Sequence, residues 1–323
     1  MKFLLAQRFE AAITRRPWLM RLVFRIEGAF MDVLWWCLVK LGPERASRVG
    51  SAILRFSGPR TAKKAELVRQ QLRLIRPDAS AEELAALEDA SWANTGAVFG
   101  EYAHLATIGR PDRTEIVDHA GLSAYGREGR SAIFFGAHHA NWELLALALA
   151  QAGVPMVALY APLANPHLDE LMSQARIQLG CGTHARGDSI RPLLKHLKSG
   201  GSIGTLVDLR VDDGADVTFF GQPTRLPATP ARLALGAGCD LVPMHAERVG
   251  LARYRVIVEP PLAIDDLKDH DDPVQALTER MVREVEKWIR ADPTLWLLAN
   301  RRWDKDVLDP ERAARRARAS QTP

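Results

Sequence analysis

The stretch SAIFFGAHHANWELLALALA, Ser131 to Ala150, decides how this chain is read. Ser131 to Phe135 is short, apolar and β-prone, the pattern of a buried strand, and Asn141 to Ala150 is a run of good helix formers. Strand passes to helix through Gly-Ala-His-His-Ala. His138 and His139 therefore stand at the C-terminal edge of a strand, where open α/β sheets place their ligand sites. Asn141 is the expected N-cap, which puts Glu143 in the first helical turn, near the positive end of the helix dipole. On one continuous helix, His138 and Glu143 would lie about 140° apart and share no face. With His138 in the loop and Glu143 in the helix, the chain bends back and the two side chains can meet. An imidazole oriented by a carboxylate is held in one tautomer and made more basic, as a general base taking a proton from an alcohol must be.

These residues carry a resemblance. His-x4-Glu within HHANWE is similar to the His-x4-Asp/Glu motif of the lysophospholipid acyltransferase superfamily, and its Asn-Trp-Glu ending resembles the late lipid A acyltransferases of Gram-negative bacteria, the lauroyl and myristoyl type. Further matches follow in the right order. Trp92 and Glu101 occupy family positions, with Glu101 expected to be structural; Arg176 before Gly180 resembles an Arg-x3-Gly pattern; TFFGQ (Thr218 to Gln222) resembles a Phe-Phe-Gly element. Trp296, Arg302 and Trp303 resemble the closing Trp and Arg-Trp positions. Departures are Gln71 where Asn is common, Leu209 and Arg210 after the matched Asp208 where the family often has Asp-Gln, and Leu298 and Asn300 where Trp and His are common.

The resemblance implies an α/β domain with a central mixed sheet flanked by helices, and a membrane-associated O-acyltransferase moving a fatty acyl group from an acyl-carrier-protein thioester to a hydroxyl of a lipid A precursor. It implies His138 as base and Glu143 as its orienting partner. Arg176, Asp208, Asn141, Phe219 and Phe220 are then the substrate-binding residues, with Arg176 holding a phosphate through its planar fork of donors. TFFGQ carries two readings, a lining of the acyl-chain path or two core phenylalanines before a glycine turn. No cofactor and no metal are implied.

At 323 residues, with nearly half of them hydrophobic and a quarter charged, the chain can bury a large core. No Gly/Ser/Pro linker divides it. The formal charge of +4 fits an anionic partner. No nucleic-acid motif is present, so an anionic membrane surface is the expected one. Cys37, Cys181 and Cys239 form no CxxC, which argues against a disulfide framework or a zinc knuckle.

Residues 1–41 read as a membrane-associating helix, 42–310 as the acyltransferase domain and 311–323 as a basic tail. The first sixteen residues show no cleavage site after a clean apolar core, so no cleaved signal peptide is expected. From Trp18 to Leu41 the chain is mostly apolar but broken by Arg21, Arg25, Glu27 and Asp32, and its longest uncharged run falls short of the ~20 residues a spanning helix needs. With Trp18, Trp35 and Trp36 it reads as lying in a membrane interface, at the cytoplasmic face of the inner membrane, rather than crossing it. A buried amphipathic helix is the other reading.

Residues 43–107 read as helical. Strands are expected at Val154 to Tyr160, Ser202 to Val207, Leu241 to Arg248 and Tyr254 to Val258, and a long helix at Pro273 to Ala291. His245 is expected to be a satisfied sheet residue. A metal-dependent hydrolase using His138, His139, Glu143 and Asp208 lacks HExxH or any other recognisable ligand set. A non-catalytic lipid-binding relative is opposed by the intact His138 and Glu143. Other lipid acceptors, lysophospholipid or glycolipid, stay open within the enzyme class, as do acyl-CoA as donor and the chain length.

Overall fold

The computed structural model of the protein describes residues 13, 15–126, 128–185, 189–267 and 269–309, and among them four long helices precede the first strand. They are α1 (Pro17–Leu41), α2 (Pro43–Ser57), α3 (Ala62–Ile75) and α4 (Ala81–Glu101). Proline opens α1 and α2 at a position whose N–H would go unpaired anyway. Ser80 and Glu83 close a capping box on α4. α2 and α4 cross backbone against backbone: a Cβ on Gly50 would lie 2.2 Å from the Gly96 carbonyl oxygen, and one on Gly100 would lie 2.2 Å from that of Ala46.

Strands and helices then alternate: β1 (Thr114–Asp118), β2 (Ala132–Gly136), α5 (Leu144–Gln151), β3 (Met156–Tyr160), α6 (Pro166–Ile177), β4 (Gly182–Ala185), α7 (Arg191–Lys198) and β5 (Ser202–Leu206). A hairpin of β6 (Ala215–Phe219) and β7 (Gln222–Leu226) follows, then α8 (Thr229–Ala237), β8 (Asp240–Gly250), β9 (Arg253–Val258) and α9 (Pro273–Ala291). The seven-stranded sheet has the order β1-β9-β8-β2-β5-β3-β4. Its pairings are parallel except β8 with β9, so the sheet is mixed and mostly parallel.

Helices cover both faces, as strands apolar on both sides require. On one face, Ile133 and Phe135 of β2 pack with α3, α7, α8 and α9; on the other, Ala132 and Phe134 pack with α4, α5 and α6. β5 lies between β2 and β3 although it comes later in the chain. The C-terminal ends of β2 and β5 thus adjoin at the middle of the sheet, the placement that opens a ligand crevice in such folds.

No described helix is long and apolar enough to cross a membrane. α1 packs through Glu27, Gly28 and Leu38 and is tied to α6, where Asn165 Nδ2 donates to Phe24 O at 3.1 Å. Its other side exposes Trp18, Leu22, Ile26, Phe30, Val33 and Trp36, so the reading as a buried amphipathic helix fails along most of its length. The basic tail from Glu311, and Lys2 and Arg8 at the other end, lie outside the described residues.

Candidate active site

Register brings the site together. Gly136 of β2 pairs with Leu206 of β5, so His138 and Asp208, each two residues further on, end side by side at the same sheet edge. His138 Nδ1 lies 2.7 Å from Asp208 Oδ1, and the His138 backbone N–H donates to the same oxygen at 3.1 Å. Asp208 Oδ2 accepts from Trp296 Nε1 at 2.8 Å and from Arg302 Nη2 at 2.6 Å. Asp208, Trp296 and Arg302 are all fully buried. Burial alone would raise the Asp208 carboxyl, but the electrostatic attraction and hydrogen bonds of the His138 and Arg302 side chains hold it well below the usual carboxylate range. An ionised carboxylate can only accept, so Nδ1 carries the shared proton and Nε2 is left with a free lone pair.

This corrects the expected partnership. Glu143 does not hydrogen-bond His138; both its oxygens are taken by Arg176, with Nε at 2.9 Å and Nη2 at 2.8 Å, while Tyr102 Oη also donates to it and Trp142 Nε1 does so at 3.1 Å. Burial pushes its carboxyl up, and the Arg176 guanidinium overcomes that and lowers it. Arg176 itself, drawn down by burial, is raised by Glu143. Two nitrogens of its fork, Nε and Nη2, therefore grip a carboxylate of the protein.

The local reason lies in residues 137–143. Ala140 has φ +47°, and its N–H donates to Leu295 O at 2.7 Å; Leu297 N–H donates to His138 O at 2.8 Å, and His139 forms a bridge with Trp296. These pins keep the chain out of helix until Leu144, so Glu143, not Asn141, is the residue before the first turn, and it caps nothing. Asn141 is fully buried and donates to Glu101 Oε2 at 3.2 Å instead of capping α5 or facing substrate. Glu101, which also accepts from Ser47, Arg248 and Tyr254, ties α2, α4, β8 and β9 to the loop.

A cleft of about 570 Å³ opens at this edge, lined by His138, Trp142, Glu143 and Arg176 among others. The His138 side chain keeps 16% of its surface exposed, whereas His139 is 3% exposed and turns its Nδ1 to Ala246 O at 3.0 Å. Phe219 and Phe220 do not line the cleft. Both are buried against Trp296 and Trp303 in the core, at ring distances of 5.3 to 6.5 Å. Their β6–β7 turn has φ > 0 at Phe220 and at Gly221, the geometry of a tight two-residue hairpin. No group of three or more His, Cys, Asp or Glu among the described residues could hold a metal.

The contacts that spacing did not show are those of Trp296 and Arg302 on Asp208, across 88 and 94 residues of chain. A signal for Asp208 was present, since it ends a strand as His138 follows one, and two such residues meet when their strands adjoin. Tyr102 carried no signal of a contact with Glu143.

A profile of the bacterial lipid A biosynthesis acyltransferases matches residues 21–305. The lipid A biosynthesis myristoyltransferase of Escherichia coli strain K12 is 27% identical over 288 residues, 85% of this chain and 86% of that protein. The lipid A biosynthesis acyltransferase of Haemophilus influenzae is 26% identical over 65% of this chain and 66% of its own, and the phosphatidylinositol mannoside acyltransferase of Mycobacterium tuberculosis strain CDC 1551 is 27% identical over 62% and 63%.

Proposed function

The chain belongs to the bacterial lipid A biosynthesis acyltransferase family and is an acyltransferase, and from that premise we propose that it moves a fatty acyl group from the thioester of an acyl carrier protein to a hydroxyl of a lipid A precursor. The observation that carries the mechanism is the 2.7 Å contact between His138 Nδ1 and Asp208. With Nδ1 held by a carboxylate, Nε2 takes the proton of the acceptor hydroxyl as its oxygen attacks the thioester carbonyl carbon. The C–S bond breaks, the new ester forms, and the proton passes from Nε2 to the departing thiolate. No acyl-enzyme is needed, because a thioester is already activated and holding the two substrates together supplies much of the acceleration.

The backbone amides of His138, His139 and Ala140 are committed to Asp208, Ala137 O and Leu295 O. Their work is to fix the loop rather than to bind an oxyanion. Glu143, clamped by Arg176 and Tyr102, forms a rigid wall of the cleft beside the base. Trp142 packs edge-on against the His138 ring at 5.1 Å and limits its rotation.

α1 is the membrane contact in this reading, at the cytoplasmic face of the inner membrane. Trp18, Leu22, Ile26 and Phe30 recur every fourth residue on one exposed face, as an interfacial helix requires. The likeness to the phosphatidylinositol mannoside enzyme keeps another glycolipid as the second candidate acceptor.

Purified protein incubated with acylated acyl carrier protein and an under-acylated lipid A precursor should add one acyl group by mass spectrometry. His138→Ala should lower that rate by ~10²–10⁴, the usual size of a general-base contribution. Wild-type protein inert with every thioester offered, or a His138→Ala enzyme as fast as wild type, would refute the reading.

A further inference from the structure

α7 starts at the mouth of the cleft and ends before β5, at the opposite edge of the sheet. Ile190, the residue before its first turn, and Leu193 line the cleft. Leu193 and Leu197 are buried in the core, while Arg191, Lys195 and Lys198 are exposed. At ~100° per residue the three cations fall within ~60° of one another, on the side of the helix opposite the two leucines, and they span ~10 Å along its axis. α7 carries no acidic residue, and among the described residues none of the three cations meets a carboxylate. Arg232 of the neighbouring α8 adds a fourth exposed cation where that helix lines the mouth. The exposed carboxylate among the lining residues, Asp213, precedes β6 and does not interrupt the row.

A row of exposed cations on a helix is ordinarily a solvated face; the place of this one gives it a partner. Trp35 of α1 packs into the core on the face of the sheet that carries α5 and α6, and Asn165 ties α1 to α6. Leu193 and Leu197 lie in the core on the other face. With α1 against a membrane, the sheet separates the basic row from the lipid, so the row is open to a soluble protein while the enzyme stays on its membrane. It also begins at the cleft itself, beside an exposed apolar side chain, Ile190. Cations around an apolar anchor next to an active-site mouth suit a transient protein contact, in which charge guides the encounter and the anchor is buried on docking.

We propose that the α7 row is the docking site for the protein part of the acyl donor: an acidic surface of the carrier protein lies along Arg191, Lys195 and Lys198, and its thioester arm enters the cleft past Ile190. The proposal rests on the carrier-thioester reading above and says which face of this chain the carrier uses. Lipid acceptor and protein donor then reach the site from different sides of the sheet, and neither blocks the other. Because the three cations are exposed, their contribution lies in steering and in a salt-sensitive encounter rather than in the chemical step.

The test compares full-length wild type with a triple variant, Arg191→Glu, Lys195→Glu and Lys198→Glu, and with a control that reverses three exposed cations on other helices, Lys63 and Arg76 of α3 and Arg283 of α9. Transfer is measured with one fatty acyl group carried on acyl carrier protein and, separately, on uncharged pantetheine; binding of the acylated carrier is followed by fluorescence anisotropy. With the carrier thioester, the α7 variant should raise KM by ~10–10²-fold at ~0.1 M salt with kcat unchanged, and the gap to wild type should close toward ~1 M, where the Debye length falls to ~3 Å. Its rate with acyl-pantetheine and its binding to anionic vesicles should equal those of wild type, and the control should keep the wild-type KM. Should the reversed variant fail to fold, the same three positions changed to Gln carry the test, with a smaller rise in KM. Carrier binding that is lost in the α7 variant, while wild type transfers no acyl group, keeps the docking site and sinks the transferase reading. An α7 variant with the wild-type KM for the carrier thioester, a control that raises KM as much, or vesicle binding lost in its place overturns the docking site and leaves the transferase reading standing.

Discussion

Asp208→Asn tests the site where the structure departs most from what spacing suggested. The substitution keeps shape and one acceptor but removes a charge that is fully buried against an equally buried Arg302. Breaking such a pair leaves an uncompensated guanidinium, which costs about 3–5 kcal/mol; Asn300 O, still 2.6 Å from Arg302 Nη1, argues for the lower end. At roughly 2–4 °C per kcal/mol, melting should fall by ~10 °C. The sign with pH follows from the low carboxyl pKa of Asp208. Its stabilisation is present above the ordinary carboxylate value near ~3.9 and is lost only as pH falls through the lower folded value. The deficit of the variant should therefore stay constant from neutral pH down to mild acid and close in strong acid. The amide can also turn its NH2 toward Nδ1 and impose the wrong tautomer, so turnover at equal folded fraction should drop by ~10²–10⁴. Adding Arg302→Met removes the stranded charge. The double variant should regain much of the melting temperature and none of the activity. An Asp208→Asn enzyme with wild-type turnover, or a double variant with restored rate, would refute Asp208 as the orienting carboxylate.

Glu143→Gln should act differently: it loosens the Arg176 clamp and moves the cleft wall, so its loss, up to ~10²-fold, should be shared between kcat and KM and be smaller in kcat than that of Asp208→Asn. The reverse ranking would restore Glu143 as the partner of the base. Burial lowers both His139 and His245, the latter to about 3 with the neighbouring His139 adding repulsion, so both are neutral in the fold and protonate in the unfolded chain below ~6.5. Their contribution is complete above that value and declines as pH falls toward about 3; melting temperature should drop between pH ~6.5 and ~4.5, and less steeply in His245→Gln. An equal slope in the variant would exclude His245 as a source. On α1, Trp18 and Trp36 are 58% and 62% exposed, and replacing each by Ser should weaken binding to anionic vesicles by of order tenfold in a cosedimentation assay. Unchanged partition would place the membrane contact elsewhere.

Elements with strong local signals were legible in the chain itself. Ser131 to Phe135 is observed as Ala132–Gly136, and α9 begins and ends at Pro273 and Ala291 as read, since a proline starts it and Asp292-Pro293 stops it. Elements set by distant contacts were not legible. α5 starts three residues late because Ala140 is tied to Leu295, and β4 is a four-residue edge strand with no hydrophobic period of its own. The partner of His138 belongs with these. Five residues of spacing pointed to Glu143, but the order of strands, in which β5 inserts beside β2, chose Asp208. TFFGQ shows the same limit: a Phe-Phe-Gly run reads alike whether it lines a path or fills a core, and the pair of tryptophans that decides it comes from the end of the chain.

That end of the chain also explains how departures from the family pattern can leave the site intact. Segment 295–303 pins the loop through Leu295 O and Leu297 N–H and clamps Asp208 through Trp296 and Arg302. It is itself held by Gln71, whose Nε2 donates to Leu298 O at 2.6 Å and Asn300 O at 3.1 Å, and whose Oε1 accepts from Arg302 N–H at 3.0 Å. The polar contacts at positions 298 and 300 are thus made by main-chain carbonyls, which every residue possesses. Leu298 and Asn300 can replace Trp and His without loosening Arg302, and Gln71 retains the carboxamide that Asn would supply. Departures that fall on backbone-mediated contacts carry little weight as evidence for a non-catalytic relative, because His138, Asp208, Trp296 and Arg302, whose side chains make the contacts, are all in place.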